Sequence, residues 1–474
     1  PAALQAYFVA SESFMRLKNG TKTVALGNRG SGKTAIFKMI AEQSRRKGDV
    51  VLELSPDEYS YELLSQTMAS EDSGSWAKQS AYAAAWKYLV YVLVMKSVTN
   101  AKGLKTEASK KIYRYLRDNH DNTDVNPLGI LISRLKRLEG IKIGRYEASV
   151  KARELERLYK LEEINQLLDS LENICSERNV VVLIDELDRG WDASEDAKAF
   201  VAGLFQAATA IPLRTPSIRV LISLRRELYE SIPSLYEDAQ KVRDIIEVIE
   251  WDEPNLLQLN SQRIVHSFTE LSPLEADQVW EAIFSQTLDY RKTKSFNYIV
   301  DRTLYRPREI LQFCIDVRNY MIEEDERPPA TYQHITEAEH SYSQERTKDI
   351  AAEYRFQFPG LLSVLETFRG LSYAFTREEI EFHCLQLATA ERRITPEAFE
   401  WCENLDPDTL IEALWQVGFL RALAVGGVKA RRRSGSSYIG SHQVSSLSLN
   451  NVQRFHVHPM FRAHLALKEP KASK

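Results

Sequence analysis

The chain of 474 residues contains few cysteines and no long apolar run, and each absence excludes a class of protein. No two cysteines form a C-x-x-C pair, which argues against a disulfide framework or a zinc ribbon and favours a reducing, cytoplasmic environment. The most apolar stretch, Ala81 to Val98, contains two lysines and is too short for a membrane span. We therefore expect a buried helix there and no membrane partner. The four cysteines are Cys175, Cys314, Cys384 and Cys402.

An excess of charge of one sign is also lacking. The chain has 62 Lys and Arg against 66 Asp and Glu, a net charge of -4, so no overall field attracts nucleic acid. We expect no signal peptide from the first residues, and Pro1 suggests a removed initiator methionine or a trimmed chain. Hydrophobic residues make up 44% and charged residues 27%, which is typical of a globular protein, and the length predicts three or four packed units.

Short β-branched runs predict an α/β fold with a parallel sheet. Such uninterrupted apolar runs are typical of parallel strands covered on both faces, and the helices between them favour the same topology. We expect a helix from Ala35 to Glu42 directly after the first strand. The expected strands are residues 23–26, 50–54, 180–184 and 218–223, with a last short strand at 248–251.

Other segments predict further domains around this core. Helical periodicity without a convincing strand fills Glu62 to about Ser176, and helical sequence resumes after Pro254. Later, Thr376 and Asp406 are expected to cap two helices ahead of two strands, 421–428 and 454–458, which is the order of a winged-helix domain. A Ser-rich loop, 434–449, is expected between those strands. The predicted domains are an α/β core (1–55 and 176–252), a helical insertion (56–175), a helical lid (253–345) and a winged-helix domain (346–474).

The segment GNRGSGKT, Gly27 to Thr34, matches the P-loop pattern G-x-x-x-x-G-K-[ST]. Its glycines let backbone N–H groups face phosphate oxygens, Lys33 brings a charge to the β and γ phosphates, and Thr34 offers a hydroxyl to Mg²⁺. A flexible glycine turn is the alternative, but the strand before and the helix after favour ATP binding. The predicted nucleotide-binding residues are Gly27, Asn28, Arg29, Gly30, Ser31, Gly32, Lys33, Thr34 and Ala35.

The expected strand 180–184 runs directly into Asp185 and Glu186. A carboxylate at the end of a buried strand is costly unless a ligand uses it. We assign Asp185 to the Mg²⁺ ion and Glu186 to polarising the attacking water. The alternative is a solvated strand end.

Three candidate arginines lie outside the loop and the acidic pair. Arg225 follows the expected strand 218–223 and is a candidate contact to the γ-phosphate, although a surface arginine there is also ordinary. Arg306 and Arg308 open a helix, where cations oppose the helix dipole, so an approaching anion is one explanation. Pairing of these arginines with Glu309 or another carboxylate is the alternative.

A fourth arginine, Arg243, precedes the last expected strand. It is a candidate for reaching the nucleotide of a neighbouring subunit.

Together these features resemble the AAA+ and STAND group of P-loop ATPases, near the origin-recognition type. They are similar, more narrowly, to bacterial P-loop ATPases with a large helical insertion that are associated with anti-phage defence. The resemblance implies a Mg²⁺-dependent ATPase that oligomerises and, as a nucleotide-controlled switch, controls a partner effector in antiviral defence. The alternative is a nucleic-acid-acting AAA+ loader or remodeller.

The insertion is the segment most compatible with nucleic acid. Residues 101–160 hold 15 Lys and Arg against 8 Asp and Glu. Such a stripe binds phosphate backbone, docks an acidic protein or is simply solvated. By contrast, the expected recognition helix 406–420 carries three carboxylates and no cation, so only the wing residues Lys429 and Arg431 to Arg433 favour DNA. The basic stripe comprises Lys102, Lys105, Lys110, Lys111, Arg114 and Arg117.

Overall fold

The chain divides into two compact units. The first comprises Pro1–Gln5, Ala10–Asn28 and Lys33–Ile249, and the second comprises Ala6–Val9, Arg29–Gly32 and Glu250–Lys474. The predicted division into three or four packed units stays a prediction. The computed structural model describes residues 2–55, 75–100, 106–119, 161–236, 243–289, 291–423, 437–444 and 447–470.

The first unit contains a five-stranded parallel sheet, as predicted, in the order β2-β3-β4-β1-β5. Its last strand lies earlier than the expected 248–251. The reason is the pairing with β1, which covers only residues 246 to 248, after which Ile249 donates its N–H to the carbonyl of Leu26 (2.7 Å). The strands are β1 (Val24–Gly27), β2 (Val50–Leu54), β3 (Val180–Ile184), β4 (Ile218–Arg225) and β5 (Ile246–Val248).

Helices surround this sheet, and the apolar stretch from Ala81 to Val98 lies within one of them, mostly buried, as predicted. Among the described residues, no helix is long and apolar enough to cross a membrane. Up to the last strand, the described helices are α1 (Ala2–Ala6), α2 (Glu12–Lys18), α3 (Lys33–Lys47), α4 (Ser75–Asn100), α5 (Glu107–Asn119), α6 (Leu161–Asn165), α7 (Leu168–Glu177), α8 (Glu195–Arg214), α9 (Arg226–Glu230) and α10 (Pro233–Tyr236).

The described helices of the expected insertion share the core of the sheet. The indole of Trp86 on α4 donates to the carbonyl of Phe200 on α8 (3.2 Å), and the ring of Tyr82 packs edge-on against the ring of Phe200 with centroids 5.6 Å apart. Lys78 pairs with Asp196 at 2.9 Å between the same helices. Because these helices bury their apolar side chains against the sheet layer, they add to one core and form no second one.

The second unit begins with helices, and its expected helix starts are confirmed. The side chain of Thr376 accepts from the N–H of Glu379 (3.3 Å) in a capping box, and Asp406 accepts from the N–H of Thr409 (2.8 Å). The α-helices are α11 (Glu253–Ser267), α12 (Ala276–Ile283), α13 (Ser295–Val300), α14 (Pro307–Glu323), α15 (Tyr332–Glu353), α16 (Leu361–Glu366), α17 (Arg377–Ala388), α18 (Pro396–Cys402), α19 (Pro407–Gln416) and α20 (Pro459–Arg462). Two 3₁₀ turns, Thr269–Leu271 and Leu449–Asn451, complete the set.

The second unit also contains an antiparallel sheet in the order β6-β9-β7-β8, whose strands alternate with the later helices along the chain. Its strands are β6 (Ala374–Thr376), β7 (Leu420–Leu423), β8 (Tyr438–Ile439) and β9 (Arg454–Val457). The Ser-rich segment was expected to be a loop throughout, but β8 lies inside it and pairs with β7. The expected strand 421–428 is described only as far as residue 423. A winged-helix assignment therefore stays a prediction.

The expected strand 454–458 included His458, which was wrong, because β9 ends at Val457. His458 caps α20 instead, because Pro459 begins a helix and the imidazole accepts from the N–H of Met460 (3.1 Å). Its other ring nitrogen lies 2.8 Å from a guanidinium nitrogen of Arg421. These contacts give His458 a structural role.

The helical part and the sheet part of the second unit share one core. Arg421 on β7 pairs with Asp301 at 2.7 Å, and the hydroxyl of Ser343 on α15 donates to the carbonyl of Met460 (2.6 Å). Helix α15 also runs through the expected domain boundary at residue 345.

Acidification should destabilise the second unit, since His383 is buried in it and stacks on Phe368. Burial, with a smaller contribution from Arg392, lowers the pKa of His383 from 6.5 to about 3. Below pH 6.5 the unfolded chain binds a proton that the folded chain refuses until about pH 3, so stability is lost as the pH falls, by about 1.4 kcal/mol per pH unit. Urea unfolding between pH 4.5 and 7 should therefore show a shallower pH slope for His383→Gln than for the wild type. The exposed residue His340, changed to Gln, is the control, and equal slopes for all three proteins would contradict the assignment.

Candidate nucleotide-binding site

The order of the parallel strands brings the predicted site residues to one edge of the first unit's sheet. Strand β4 pairs with β1 on one side and with β3 on the other. In that register Gly27 lies opposite Arg225, and Ile184 lies opposite Ile222. The P-loop leaves β1, the Asp185–Glu186 pair leaves β3, and Arg225 ends β4, so all three follow carboxyl ends, where parallel α/β sheets bind ligands.

Lys33 is the first residue of α3, and its ammonium group is folded back onto the loop. It donates to the carbonyl oxygens of Gly27 (2.6 Å) and Asn28 (2.9 Å). Burial lowers the pKa of Lys33 to about 8; the strongest opposing charge is Glu227, and Arg225 adds to the lowering. Thr34 is exposed and Ala35 half-buried beside it. The lysine thus holds a desolvated charge in the loop where the sequence predicted phosphate.

The tip of the loop, Arg29–Gly32, belongs to the second unit and is held there through its backbone. The indole of Trp251 donates to the carbonyl of Ser31 (2.8 Å), and a guanidinium nitrogen of Arg306 lies 3.4 Å from the carbonyl of Arg29. Gly30 has φ +79°, and a Cβ there would lie 3.0 Å from the Cβ of Arg308. Only glycine fits this conformation and this close approach without strain.

The acidic pair closes a tight turn after β3. The N–H of Glu186 donates to a carboxylate oxygen of Asp185 (2.8 Å), and Glu186 itself has φ +61°. Its carboxylate lies 3.1 Å from the guanidinium of Arg189 and is 35% exposed. Solvent therefore reaches the carboxylate that was predicted to polarise water.

Arg225 has carboxylate partners that the sequence reasoning missed. It forms an ion pair with Asp188 and lies 3.6 Å from the carboxylate of Glu227. The sequence did contain one signal for this partner. Asp188 is the third acidic residue in the run Asp185-Glu186-Leu187-Asp188 directly after β3.

The remaining candidate arginines differ in environment. Arg306 is buried and pairs with Glu353 at 2.7 Å and with Glu309 at 3.6 Å, so the alternative of carboxylate pairing is the one that the structure shows. Arg308 is exposed, and its aliphatic stem is what a Cβ on Gly30 would meet. Arg243 is exposed ahead of β5. Its predicted contact with a neighbouring subunit stays a prediction.

The described part of the basic stripe lies on α5, and most of its cations have partners. Lys110 pairs with Glu107 (2.8 Å), Lys111 donates to the carbonyl of Gln166 (3.1 Å), and Arg117 pairs with Asp118 (3.0 Å). Lys102 and Lys105 lie outside the described residues, as do Lys429 and the wing arginines 431–433. The stripe is therefore a partly paired surface, and its binding of nucleic acid stays a prediction.

Comparison with known proteins gives three findings. Residues 254–351 match the model of the FunZ-associated C-terminal helical domain. The chain is 23% identical over 467 residues to the "Putative transposon gamma-delta 80.3 kDa protein" of Escherichia coli (strain K12), which covers 96% of this chain and 64% of that protein. The chain thus spans less than two thirds of that relative's length.

The third finding is a solved structure, the Aeropyrum pernix ORC2 protein in ADPNP-ADP complexes. It aligns with 98% of this chain and 90% of its own, at 12% identity and a TM-score of 0.35. A TM-score of this size does not establish a common fold.

Lys33→Ala should abolish ATP binding, because no other cation in the described loop donates from the same position. Calorimetry with the full chain measures it directly. Lys38→Ala, an exposed lysine on the same helix, is the matched control and should bind like the wild type. Unchanged ATP affinity in Lys33→Ala would show that Gly27–Thr34 is not a nucleotide site.

Proposed function

We propose that the chain binds ATP at Gly27–Thr34 and hydrolyses it. The observation that carries this proposal is the folded-back ammonium of Lys33 in the P-loop, whose charge interacts with Asp185 and Asp188 after β3. A half-buried ammonium that donates to neutral loop carbonyls would gain from exchanging them for phosphate oxygens, since those oxygens carry the opposite charge.

A magnesium ion fits the residues at this edge. Thr34 is exposed and Asp185 is partly exposed, and both offer oxygen ligands, which Mg²⁺ prefers together with phosphate oxygens and water. Among the described residues, no group of three or more His, Cys, Asp or Glu forms a metal site. Mg²⁺ commonly relies on one or two protein oxygens plus the nucleotide, so Thr34 and Asp185 suffice in this proposal. When bound, the ion would neutralise charge on the phosphates.

Each protein group then has a separate task in hydrolysis. The glycines leave backbone N–H groups free to face phosphate, and Lys33 contacts the β and γ phosphates. Glu186, whose carboxylate is open to solvent, orients and polarises the attacking water. Arg225 contacts the γ-phosphate from the end of β4, next to Gly27 in register.

The same chemistry supports a nucleotide-controlled switch. Inside the second unit, Trp251 and Arg306 bond to the backbone of the loop tip, and Arg308 packs on Gly30. Phosphate would accept from N–H groups of the same segment whose carbonyls accept from Trp251 and Arg306, so a shift of that backbone on binding would move both acceptors. The occupancy of the loop is thereby coupled to the start of α14, which we propose as the element that senses the γ-phosphate.

We further propose that the switch acts through oligomerisation and a partner effector in bacterial defence. Support for this part comes from the motif resemblance, with Arg243 as the residue proposed to reach a neighbouring nucleotide. Size-exclusion chromatography with light scattering, with and without ATP, tests the oligomer without knowledge of the effector.

Glu186→Gln should keep ATP binding and lose most turnover. The amide preserves the shape but does not polarise water as a carboxylate does, and removing such a group costs on the order of a hundredfold or more. Steady-state phosphate release measures turnover, and Glu195→Gln, an exposed residue on α8, should match the wild type. Turnover of Glu186→Gln within about threefold of the wild type would mean that another group acts as the base.

Arg308→Ala should weaken ATP binding and hydrolysis while leaving ADP affinity nearly unchanged, because its proposed contact is to the γ-phosphate alone. Calorimetry with ADP and with a non-hydrolysable ATP analogue separates the two. Arg318→Ala on the same helix, also exposed, is the matched control. Equal loss of affinity for both nucleotides would reduce Arg308 to a support of the loop tip.

A further inference from the structure

Asp188 is the acidic side chain that fixes the orientation of Arg225. The two side chains form an ion pair, and each is 24% exposed, so water screens the pair only partly. Glu227, 6% exposed, lies 3.6 Å from the other terminal nitrogen of the same guanidinium. Arg225 is thereby confined between two carboxylates at the end of β4.

The turn that carries Asp188 is itself anchored. Leu187 and Trp191 on either side are buried, and the N–H of Trp191 donates to the carbonyl of Asp188 (3.3 Å). The N–H of Arg189 donates to the carbonyl of Glu186 (3.1 Å). Because these contacts hold the backbone on both sides of Asp188, its carboxylate is a fixed acceptor for Arg225.

The position of the pair determines what such an acceptor does. Arg225 lies opposite Gly27, the first residue of the P-loop, and Asp188 lies three residues after Asp185. An unrestrained arginine loses much rotamer freedom when it must meet a single oxygen, whereas a restrained one has already lost it. Restrained by Asp188 and Glu227, Arg225 has less rotamer freedom left to lose when it contacts an oxygen that becomes charged during the reaction.

We propose that Asp188 is a positioning residue for ATP hydrolysis, which holds the guanidinium of Arg225 beside the P-loop where charge develops on the γ-phosphate. This inference rests on the proposed ATPase function. Asp188 touches neither nucleotide nor water in this role and acts through Arg225, while its charge also favours the protonated form of Lys33.

Asp188→Asn in the full chain tests the inference by separating turnover from binding. Its kcat should fall about tenfold, the order expected for losing the orientation of one catalytic group, while ADP affinity stays within about twofold. Asp188→Glu, which keeps the charge, should recover part of the loss. Asp192→Asn is the matched control, because Asp192 is exposed in the same loop and accepts from the N–H of Ser194 through an oxygen that Asn retains.

A double-substitution cycle distinguishes positioning from a general structural effect. If Asp188 acts through Arg225, Asp188→Asn should cost nothing further in an Arg225→Ala background. An equal loss of turnover in both backgrounds, or a kcat of Asp188→Asn within twofold of the wild type, overturns the inference while leaving the ATPase intact. A parallel loss of ADP and ATP affinity would also overturn it. Wild-type turnover no higher than that of Lys33→Ala would instead overturn the proposed function, and this inference with it.

Discussion

Parallel pairing of β4 with both β1 and β3 is the constraint on which the candidate site depends. The two neighbours come from distant parts of the chain, yet their carboxyl ends must meet at one edge because all three strands run the same way. Val24, Ala25 and every residue of β3 are almost completely buried, so the register is fixed by apolar packing on both faces. The sheet thus brings the loop Gly27–Thr34, two carboxylates and an arginine to the same edge.

The elements that the sequence predicted well have local causes. Strands β1 to β4 are short apolar runs, and the starts of α17 and α19 follow from side chains that cap the helix N-terminus within three residues. Those that it predicted poorly depend on partners elsewhere. Strand β5 ends early because its partner β1 runs out of residues to pair, and the two- and three-residue strands β6 and β8 are too short to show a pattern. His458 left the expected strand because Pro459 favours a helix start.

Ion pairs of the candidate site were the least predictable feature. Arg306 and its partner Glu353 are separated by 47 residues in the sequence and meet only in the folded chain. Only Glu309, one turn away from Arg306, was visible as a local alternative. The position of the loop after β1 was predictable because its pattern is carried by consecutive residues, whereas the environments of Arg225 and Arg306 exist only after the chain has folded.

The single core of the second unit bears on how its parts can be inherited. The helical segment that matches the family model, 254–351, buries its apolar side chains partly against residues well beyond its end. A Cβ on Gly418 would lie 3.0 Å from the side chain of Leu304, and Asp301 pairs with Arg421 on β7. A gene fragment that encoded the matched segment alone would leave these apolar and charged surfaces in water. In this chain the helical segment is therefore a recognisable sequence module whose hydrophobic core is shared with the strands and helices that follow it.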